Sequence, residues 1–170
     1  MKFDTLIIGG GLAGLTCGIR LQKNGVKCAI VSTGQSALHF SSGSFDLLNE
    51  LPDGTKVDNP MAAVGKGSAN HPYAKLGSEF AYYVHEAKQQ FLDLGIEVAG
   101  DAEQNHLRIT PMGTLKPTWL TFSDFTPFSS ASDMAGKKIR VVNMAGFLDF
   151  NTKFVADSFE KYGAKCQISS

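Results

Sequence analysis

A glycine-rich turn near the N-terminus constrains the fold of this chain more than any other feature. Residues 9–14 read Gly-Gly-Gly-Leu-Ala-Gly and match the pattern GxGxxG. They follow an apolar, β-branched stretch at residues 3–8, and residues 12–24 then place apolar and small side chains at helical spacing. A second apolar stretch at residues 26–32 completes a βαβ unit of the usual length. The sequence therefore predicts an α/β, Rossmann-like fold with a parallel central sheet.

Each glycine of the pattern has a mechanical role in binding a nucleotide. Gly9 permits the tight turn, Gly11 lets a pyrophosphate approach the backbone because no Cβ intervenes, and Gly14 lets helix and strand pack closely. The unpaired N–H groups at the start of the helix, including those of Leu12 and Ala13, face the phosphates. The alternative is a glycine-rich turn without a ligand, which the flanking strand and helix disfavour. These residues therefore predict the cofactor-binding turn of an FAD/NAD(P)-binding fold.

The end of the second strand bears on the identity of the cofactor. The full nucleotide-binding pattern has an acidic residue there, which accepts hydrogen bonds from the adenosine ribose. In this chain the position is Ser32, followed by Thr33, and no arginine stands nearby to receive a 2′-phosphate. A hydroxyl binds ribose more weakly than a carboxylate does, so the pattern argues against NAD and NADP. FAD loses some support for the same reason, and FMN, which has no adenosine ribose, becomes an option beside it.

A long loop after the second strand is expected to pass the cofactor at the C-terminal ends of the strands. Ser41, Ser42, Gly43 and Ser44 offer hydroxyls and a flexible backbone to a phosphate, a ribityl chain or a flavin ring. The alternative for this segment is a solvated, serine-rich linker. His39 is the one acid–base residue of the loop and a weak candidate for the catalytic base, since a lone histidine is more often structural.

The rest of the chain alternates between turns, helices and strands. The predicted elements are an exposed connection at 53–70, a helix at 72–94, a short strand at 96–98, a hairpin formed by 107–110 and 114–120, a strand at 138–143, a helix at 151–162 and a strand at 164–168. Pro111 and Gly113 in the hairpin turn place its tip in solvent or against a ligand. Trp119, which follows the turn, is expected in the core.

These patterns predict how the chain divides into parts. Residues 1–170 are expected to be the N-terminal part of a flavin-binding Rossmann-like domain, and an incomplete one. Within it, residues 1–33 form the βαβ nucleotide-binding unit, and a hairpin is inserted at about residues 100–125.

Composition excludes several classes of function. Sixteen Lys and Arg balance sixteen Asp and Glu, so composition does not support a basic surface that binds nucleic acid. No apolar run approaches the roughly 18 residues of a membrane span, and the N-terminus lacks the pattern of a signal peptide, which predicts a cytoplasmic protein. The three cysteines lack ligand spacing, so the sequence predicts no metal site.

We expect no catalytic role for the remaining histidines or for three of the basic residues. His71, His85 and His106 are scattered without ligand spacing and are expected to be structural or exposed. Three basic residues are expected to carry solvated surface charge, namely Arg108, Lys116 and Arg140. The alternative is that their side chains lie close together in the fold and bind a substrate phosphate.

The chain closely resembles the B-subunit family of the anaerobic glycerol-3-phosphate dehydrogenases. The opening segment and the stretch from Gly34 to Leu48 carry the resemblance, and the second is the more specific of the two. The matching segments are residues 3–18, 34–48, 71–73, 110–120 and 146–150. The resemblance covers the whole chain, which is similar to the N-terminal part of a longer family member.

The resemblance implies a flavin-dependent enzyme subunit that oxidises sn-glycerol 3-phosphate to dihydroxyacetone phosphate in anaerobic glycerol catabolism and passes electrons to quinone. It implies FMN as cofactor, with Gly9, Gly11 and Gly14 at the flavin phosphate and residues 41–44 flanking the flavin. It also implies a related flavoprotein partner and an iron–sulfur subunit that holds the complex peripherally at the inner membrane. This fragment alone is expected to be inactive.

Two other functions are compatible with the same residues. One is a non-catalytic electron-relay or assembly subunit whose flavin passes electrons while the partner oxidises the substrate, which the small number of acid–base residues favours. The other is an unrelated FAD-dependent oxidoreductase with the same N-terminal fold, which the match at residues 34–48 disfavours.

Overall fold

The computed structural model describes residues 1–169. The chain divides into two compact units, Met1–Ser42 and Gly43–Ser170. The first unit contains strand β1 (Thr5–Ile8), helix α1 (Leu12–Lys23), strand β2 (Cys28–Val31) and a short 3₁₀ helix at Ala37–Phe40. The two strands pair in parallel, with Thr5 opposite Cys28 and Ile8 opposite Val31. The predicted βαβ unit is therefore confirmed, with strands shorter than the apolar stretches suggested.

Helix α1 packs on this two-stranded sheet through its small residues. A Cβ added to Gly18 would lie 3.0 Å from Ile30 Cδ1 and 3.6 Å from Ile7 Cδ1. Gly25 ends the helix with φ +75°, as a left-handed glycine cap does. Among residues 1–42, all of which the structure describes, Gly18 alone is buried. Leu6 and Ile8 are 60% and 86% exposed, so this unit has close backbone contacts and little apolar core.

The second unit contains the remaining elements. They are β3 (Ser44–Phe45), α2 (Pro60–Ala63), a 3₁₀ helix at Val64–Lys66, α3 (Pro72–Leu76), α4 (Glu79–Asp93), β4 (Val98–Ala99), β5 (His106–Ile109), β6 (Leu115–Thr118), β7 (Leu120–Phe122), a 3₁₀ helix at Ala131–Met134, β8 (Lys138–Val142), α5 (Thr152–Glu160) and β9 (Lys165–Ser169). Strand β7 lies between β3 and β4 in an antiparallel sheet, and β5 and β6 form an antiparallel hairpin. Strands β8 and β9 pair in parallel around α5, which makes a second βαβ unit.

Two apolar clusters form the core of this unit. One gathers Phe80 and Val84 of α4 with Trp119 and Leu120, so Trp119 is a core residue, as the sequence predicted. The other gathers Val155 and Phe159 of α5 with buried residues of the neighbouring segments: Phe128, Met134, Val141, Ala156 and Ala164. The structure thus contains the expected parallel pairing as two separate two-stranded sheets rather than one continuous central sheet.

The hairpin is confirmed, and its tip is exposed at Pro111 and Met112, as predicted, but it is buried at Gly113. Gly113 is buried with φ +71°, and a Cβ added to it would lie 2.7 Å from Ser158 Cβ on α5. The apolar face of the hairpin, formed by Leu107, Ile109 and Leu115, packs against the α5 cluster. The prediction that the tip meets solvent or a ligand is therefore wrong for Gly113, because helix α5 occupies that space.

Two further predicted elements differ from the structure. The segment 53–70 is not wholly an exposed connection, because it contains α2 and the buried side chains of Val57 and Ala63. The helix predicted over 72–94 is interrupted at Gly77, where φ is +55°, and continues as α4. Gly95 then caps α4 with φ +73°, as predicted.

Candidate cofactor-binding site

The glycine-rich turn joins β1 to α1 and leaves open space at its centre. Gly9 has φ +111°, and a Cβ added to either Gly9 or Gly11 would meet no atom within 4 Å. Gly14 approaches the turn so closely that an added Cβ would collide with the Gly9 carbonyl oxygen. The three glycines therefore have the separate roles predicted from the pattern: conformational freedom, open access and close packing.

The N-terminus of α1 has no capping side chain. Gly11 is the N-cap residue and makes no side-chain cap hydrogen bond. The first helical hydrogen bond runs from Leu15 N to Gly11 O at 2.9 Å, so the N–H groups of Leu12, Ala13 and Gly14 precede it. Leu12 and Ala13 are exposed. These amides and the positive end of the helix dipole suit a phosphate group.

Ser32 lies beside the turn immediately after β2. A Cβ added to Gly10 would lie 3.1 Å from both the Cβ and the Oγ atom of Ser32, so Gly10 keeps this approach open. The Ser32 hydroxyl donates a hydrogen bond to Gly34 O at 3.1 Å, which leaves its oxygen lone pairs as acceptors. An acceptor at this position is what a ribose hydroxyl requires. Thr33 follows and is exposed.

The sequence pattern did not single out Gly10, which occupies a variable position of GxGxxG. Its contact with Ser32 becomes visible only when the two strands pair, since the two residues are far apart in the sequence. The glycine turn and Ser32 together fit the phosphate and ribose groups of a dinucleotide. The structure thus brings together several of the predicted site residues within the first unit: Gly9, Gly11, Leu12, Ala13, Gly14, Ser32 and Thr33.

The predicted loop residues fall on both sides of the division between the two units. Ser41 and Ser42 end the first unit and are exposed, whereas Gly43 and Ser44 begin the second. Gly43 has φ +72°, and a Cβ added to it would lie 2.7 Å from Phe125 Cε2, so close packing alone requires a glycine there. Ser44 pairs with Thr121 in the β3–β7 ladder. Binding of a cofactor by these four residues remains a prediction.

His39, the weak candidate for a catalytic base, lies in the 3₁₀ helix at Ala37–Phe40. Its ring is exposed and meets the ring of Phe40 edge to face, with 5.0 Å between centroids. The assignment of His39 as the catalytic base remains a prediction.

The three basic residues considered for a substrate phosphate do not form one cluster. Arg108 and Lys116 are opposite one another on the hairpin, and Lys116 forms an ion pair with Asp46. Arg108 stacks on the Phe125 ring with 3.9 Å between Cζ and the centroid, and burial lowers the pKa of its guanidinium. Arg140 lies on β8 and bonds Gln167 at 3.3 Å. Arg108 is therefore partly buried rather than fully solvated.

Comparison with known protein families agrees with the geometry of the turn. Residues 4–167 match a family described as FAD binding domain. The chain belongs to this family. An FAD binding domain takes FAD, so the comparison supports the alternative cofactor of the sequence prediction and gives no support to FMN as the first choice.

Three curated relatives of this FAD binding domain share a name. A protein of Yersinia pestis bv. Antiqua (strain Antiqua), named as the B subunit of anaerobic glycerol-3-phosphate dehydrogenase, is 44% identical over 168 residues, which cover 96% of this chain and 40% of the relative. Relatives of the same name are 41% identical in Pectobacterium atrosepticum (96% and 40% coverage) and 43% identical in Actinobacillus succinogenes (99% and 40%).

The chain spans about 40% of the length of these relatives. No solved structure matches it. Among the described residues of this FAD binding domain, no helix is long and apolar enough to cross a membrane.

Proposed function

We propose that this chain is the FAD-binding N-terminal part of a flavoprotein subunit that oxidises sn-glycerol 3-phosphate to dihydroxyacetone phosphate. The observation that carries the proposal is the open, uncapped turn between β1 and α1, with Ser32 beside it. Membership of the FAD binding domain family supports the cofactor, and the name shared by the relatives supports the substrate.

The residues of the turn would hold the cofactor by its polar groups. The N–H groups of Leu12, Ala13 and Gly14 would donate to the pyrophosphate, and the Ser32 oxygen would accept from the adenosine ribose. Bound FAD would supply the chemistry by accepting a hydride from C2 of the substrate. The proposed whole protein passes these electrons to quinone together with a related flavoprotein subunit and a membrane-anchoring iron–sulfur subunit.

Flavin release tests the cofactor assignment. The full-length protein should release FAD, and not FMN, on denaturation, as identified by chromatography and the flavin absorbance. Gly11→Ala should lower FAD affinity at least tenfold, because its Cβ would stand where the pyrophosphate approaches. The backbone at Gly11, φ −80°, is available to alanine, and the added Cβ meets no protein atom within 4 Å, so the free energy of unfolding should change by less than about 0.5 kcal/mol.

Gly34→Ala is the matched control for that substitution. A Cβ added to Gly34 also meets no atom within 4 Å, Gly34 lies outside the proposed pyrophosphate site, and the variant keeps the backbone carbonyl that accepts from the Ser32 hydroxyl. FAD affinity should therefore stay within twofold of the unmodified protein. Equal FAD affinities for the two variants would refute the proposed cofactor site.

A second candidate function is electron relay, in which the partner subunit oxidises the substrate. The surroundings of His39 favour it, because the one histidine of residues 1–42 is exposed and its ring packs against Phe40. Anaerobic addition of glycerol 3-phosphate to the full-length, FAD-loaded subunit without its partner separates the two functions. Bleaching of the flavin supports oxidation by this subunit. An oxidised flavin that bleaches only when the partner is added supports relay.

A further inference from the structure

One face of the hairpin formed by β5 and β6 carries two cations directly opposite one another. Arg108 of β5 and Lys116 of β6 are partners in the antiparallel ladder, so their side chains project from the same face. The opposite face packs against the α5 cluster through apolar side chains. Like charges that face each other across a ladder are destabilising, so this pair of cations favours a negative charge beside it.

The guanidinium of Arg108 has no anionic partner in the part of the chain that the structure describes. Within residues 1–169 it forms neither an ion pair nor a hydrogen bond, and its Nη1 atom is buried. Burial also lowers the pKa of the guanidinium, because the charge is partly removed from water. A charge in such surroundings is ordinarily paired, so Arg108 has a place for a counter-ion that the described residues do not supply.

The contact between Arg108 and Phe125 determines which part of the guanidinium can meet a ligand. The Cζ atom lies 3.9 Å from the centroid of the Phe125 ring, so one face of the guanidinium is covered. The N–H groups lie in the guanidinium plane and point away from its edges, so this contact does not occupy them. Nη1 is enclosed, whereas Nε and Nη2 are not buried in this way. The edge formed by Nε and Nη2 is therefore the one that can donate to a ligand.

The ring that covers Arg108 also packs against Gly43. A Cβ added to Gly43 would lie 2.7 Å from Phe125 Cε2 and 3.4 Å from Phe125 Cδ2. Gly43 belongs to the loop that the sequence predicts beside the flavin, and all three residues lie in the second unit. A ligand held by Arg108 would therefore lie close to a residue of that loop.

Lys116 supplies the second positive charge and is only weakly engaged. Its Nζ atom forms an ion pair with the carboxylate of Asp46, and these two side chains are 49% and 37% exposed. An exposed ion pair contributes little free energy because water screens it, so a ligand anion can share or replace the carboxylate. One carboxylate beside two cations also leaves one positive charge without a counter-charge.

We propose that Arg108 and Lys116 bind the phosphate group of a phosphate monoester, with Nε and Nη2 of Arg108 donating to two of its oxygens. A phosphate monoester carries nearly two negative charges at pH 7, which matches two cations better than a single carboxylate does. The planar guanidinium also suits bidentate binding of a phosphate. The choice of glycerol 3-phosphate as the monoester rests on the proposed function.

Isothermal titration calorimetry on the full-length protein with oxidised flavin tests this site. The ligand is dihydroxyacetone phosphate, the proposed product, because it has the phosphate group and cannot reduce the flavin. Arg108→Gln should weaken its binding at least tenfold. The matched control is Arg140→Gln, which removes an exposed guanidinium that bonds Gln167, and it should leave the affinity within twofold. Equal affinities for the two variants would overturn the proposal, as would the absence of binding by the unmodified protein.

Further ligands separate recognition of the phosphate from a general change in the protein. Inorganic phosphate should compete with dihydroxyacetone phosphate in the unmodified protein. Dihydroxyacetone, which lacks the phosphate, should bind Arg108→Gln and the unmodified protein equally. A loss of dihydroxyacetone affinity as large as the loss of dihydroxyacetone phosphate affinity would contradict the phosphate assignment.

Two milder variants keep the test decisive if Arg108→Gln does not fold. Arg108→Lys keeps the charge and loses the bidentate edge, so it should weaken binding of dihydroxyacetone phosphate at least threefold. Lys116→Gln removes the second charge from an exposed side chain and should weaken binding by a similar factor. Circular dichroism confirms that each variant is folded. Unchanged affinity in both variants would overturn the proposal.

The outcome is distinguishable from failure of the proposed function. Flavin content and anaerobic bleaching by glycerol 3-phosphate are measured on the same samples. If glycerol 3-phosphate bleaches the flavin while Arg108→Gln binds dihydroxyacetone phosphate normally, the proposed oxidoreductase stands and the phosphate site does not. If binding of dihydroxyacetone phosphate depends on Arg108 in a protein that holds no flavin, the phosphate site stands and the proposed function does not.

Discussion

The chain contains two parallel βαβ units, and they differ in whether a side chain caps the N-terminus of their helix. In the first, α1 begins at a glycine turn, and its N-cap Gly11 offers no side chain to the helix amides. In the second, α5 begins after Asn151, whose Oδ1 accepts a hydrogen bond from Phe154 N at 2.9 Å. The same architecture thus presents one open helix N-terminus and one that the chain itself caps.

The units differ in burial in the same direction. Helix α5 buries Val155, Ala156, Ser158 and Phe159, whereas α1 buries only Gly18. A helix that is capped and packed by its own chain contributes stability, and a helix whose amides stay open can contribute to binding. The missing cap, more than the βαβ architecture that both units share, therefore distinguishes the unit that is proposed to bind the cofactor.

The largest expected effect concerns the packed helix. Phe159→Ala should lower the free energy of unfolding by about 3–5 kcal/mol, because Phe159 is 7% exposed within the α5 cluster. Leu15→Ala on α1 should cost less than half as much, since Leu15 is 38% exposed. Urea denaturation of the full-length protein measures both. Equal costs would break the comparison and would show that other parts of the full-length protein cover α1.

The next effect concerns the close packing of the open unit. Gly14→Ala should lower the bound FAD at least tenfold, because the new methyl group collides with the Gly9 carbonyl oxygen and must displace the helix from the turn. Flavin absorbance per protein measures the loss. The counterpart is Gly163→Ala in the second unit, where φ is +85° and a Cβ would lie 3.3 Å from Ala135. The Gly163→Ala variant should lose stability and retain FAD. Loss of FAD from both glycine variants would contradict the proposal that the first unit binds the cofactor while the second contributes stability.

A smaller effect is expected at the helix cap. Asn151→Ala removes the acceptor for Phe154 N and should cost about 1 kcal/mol of unfolding free energy. Asn151→Asp keeps an oxygen at this position and should restore most of the stability. Thermal denaturation with and without FAD measures both variants. A change in FAD affinity on removal of this cap would argue against the division of roles between the helices.

The smallest expected effect distinguishes the units by thiol reactivity. Cys17 on α1 is exposed, whereas Cys166 on β9 is partly buried and burial raises the pKa of its thiol, with the charges of Glu160 and Asp157 adding to the shift. The thiolate is the reactive form, so Cys17 should react with iodoacetamide several-fold faster at pH 8. Peptide mass spectrometry follows each site. Equal rates in urea are expected, and equal rates in the folded protein would contradict the difference in burial.

Local signals predicted those parts of the fold that neighbouring residues determine. The glycine turn, the caps at Gly25 and Gly95 and the hairpin around residues 111–113 all follow from backbone preferences of a few consecutive residues. The close approach of Gly14 to Gly9 was predictable for the same reason. These signals describe the candidate cofactor site almost completely, apart from Gly10 and its contact with Ser32.

Contacts between distant residues account for what the sequence did not predict. Residues 114–120 looked like one strand, yet the strand divides at Trp119, whose N–H donates to Phe45 O at 2.9 Å. His106 looked like one of several scattered histidines, and its burial depends on Thr121, fifteen positions further along the chain. No local pattern encodes either partner, so periodicity could predict neither the β3–β7 pairing nor the burial of His106.

The close packing of Gly113 against Ser158 limits which sequence changes the hairpin and α5 can accept, whether in engineering or in evolution. The hairpin of residues 106–118 resembles an insertion in sequence, but it shares a hydrophobic face with α5. Deleting it would uncover that helix, and grafting a hairpin from another homologue would require a compatible α5 as well. The two segments should therefore be exchanged together in any chimera of this domain.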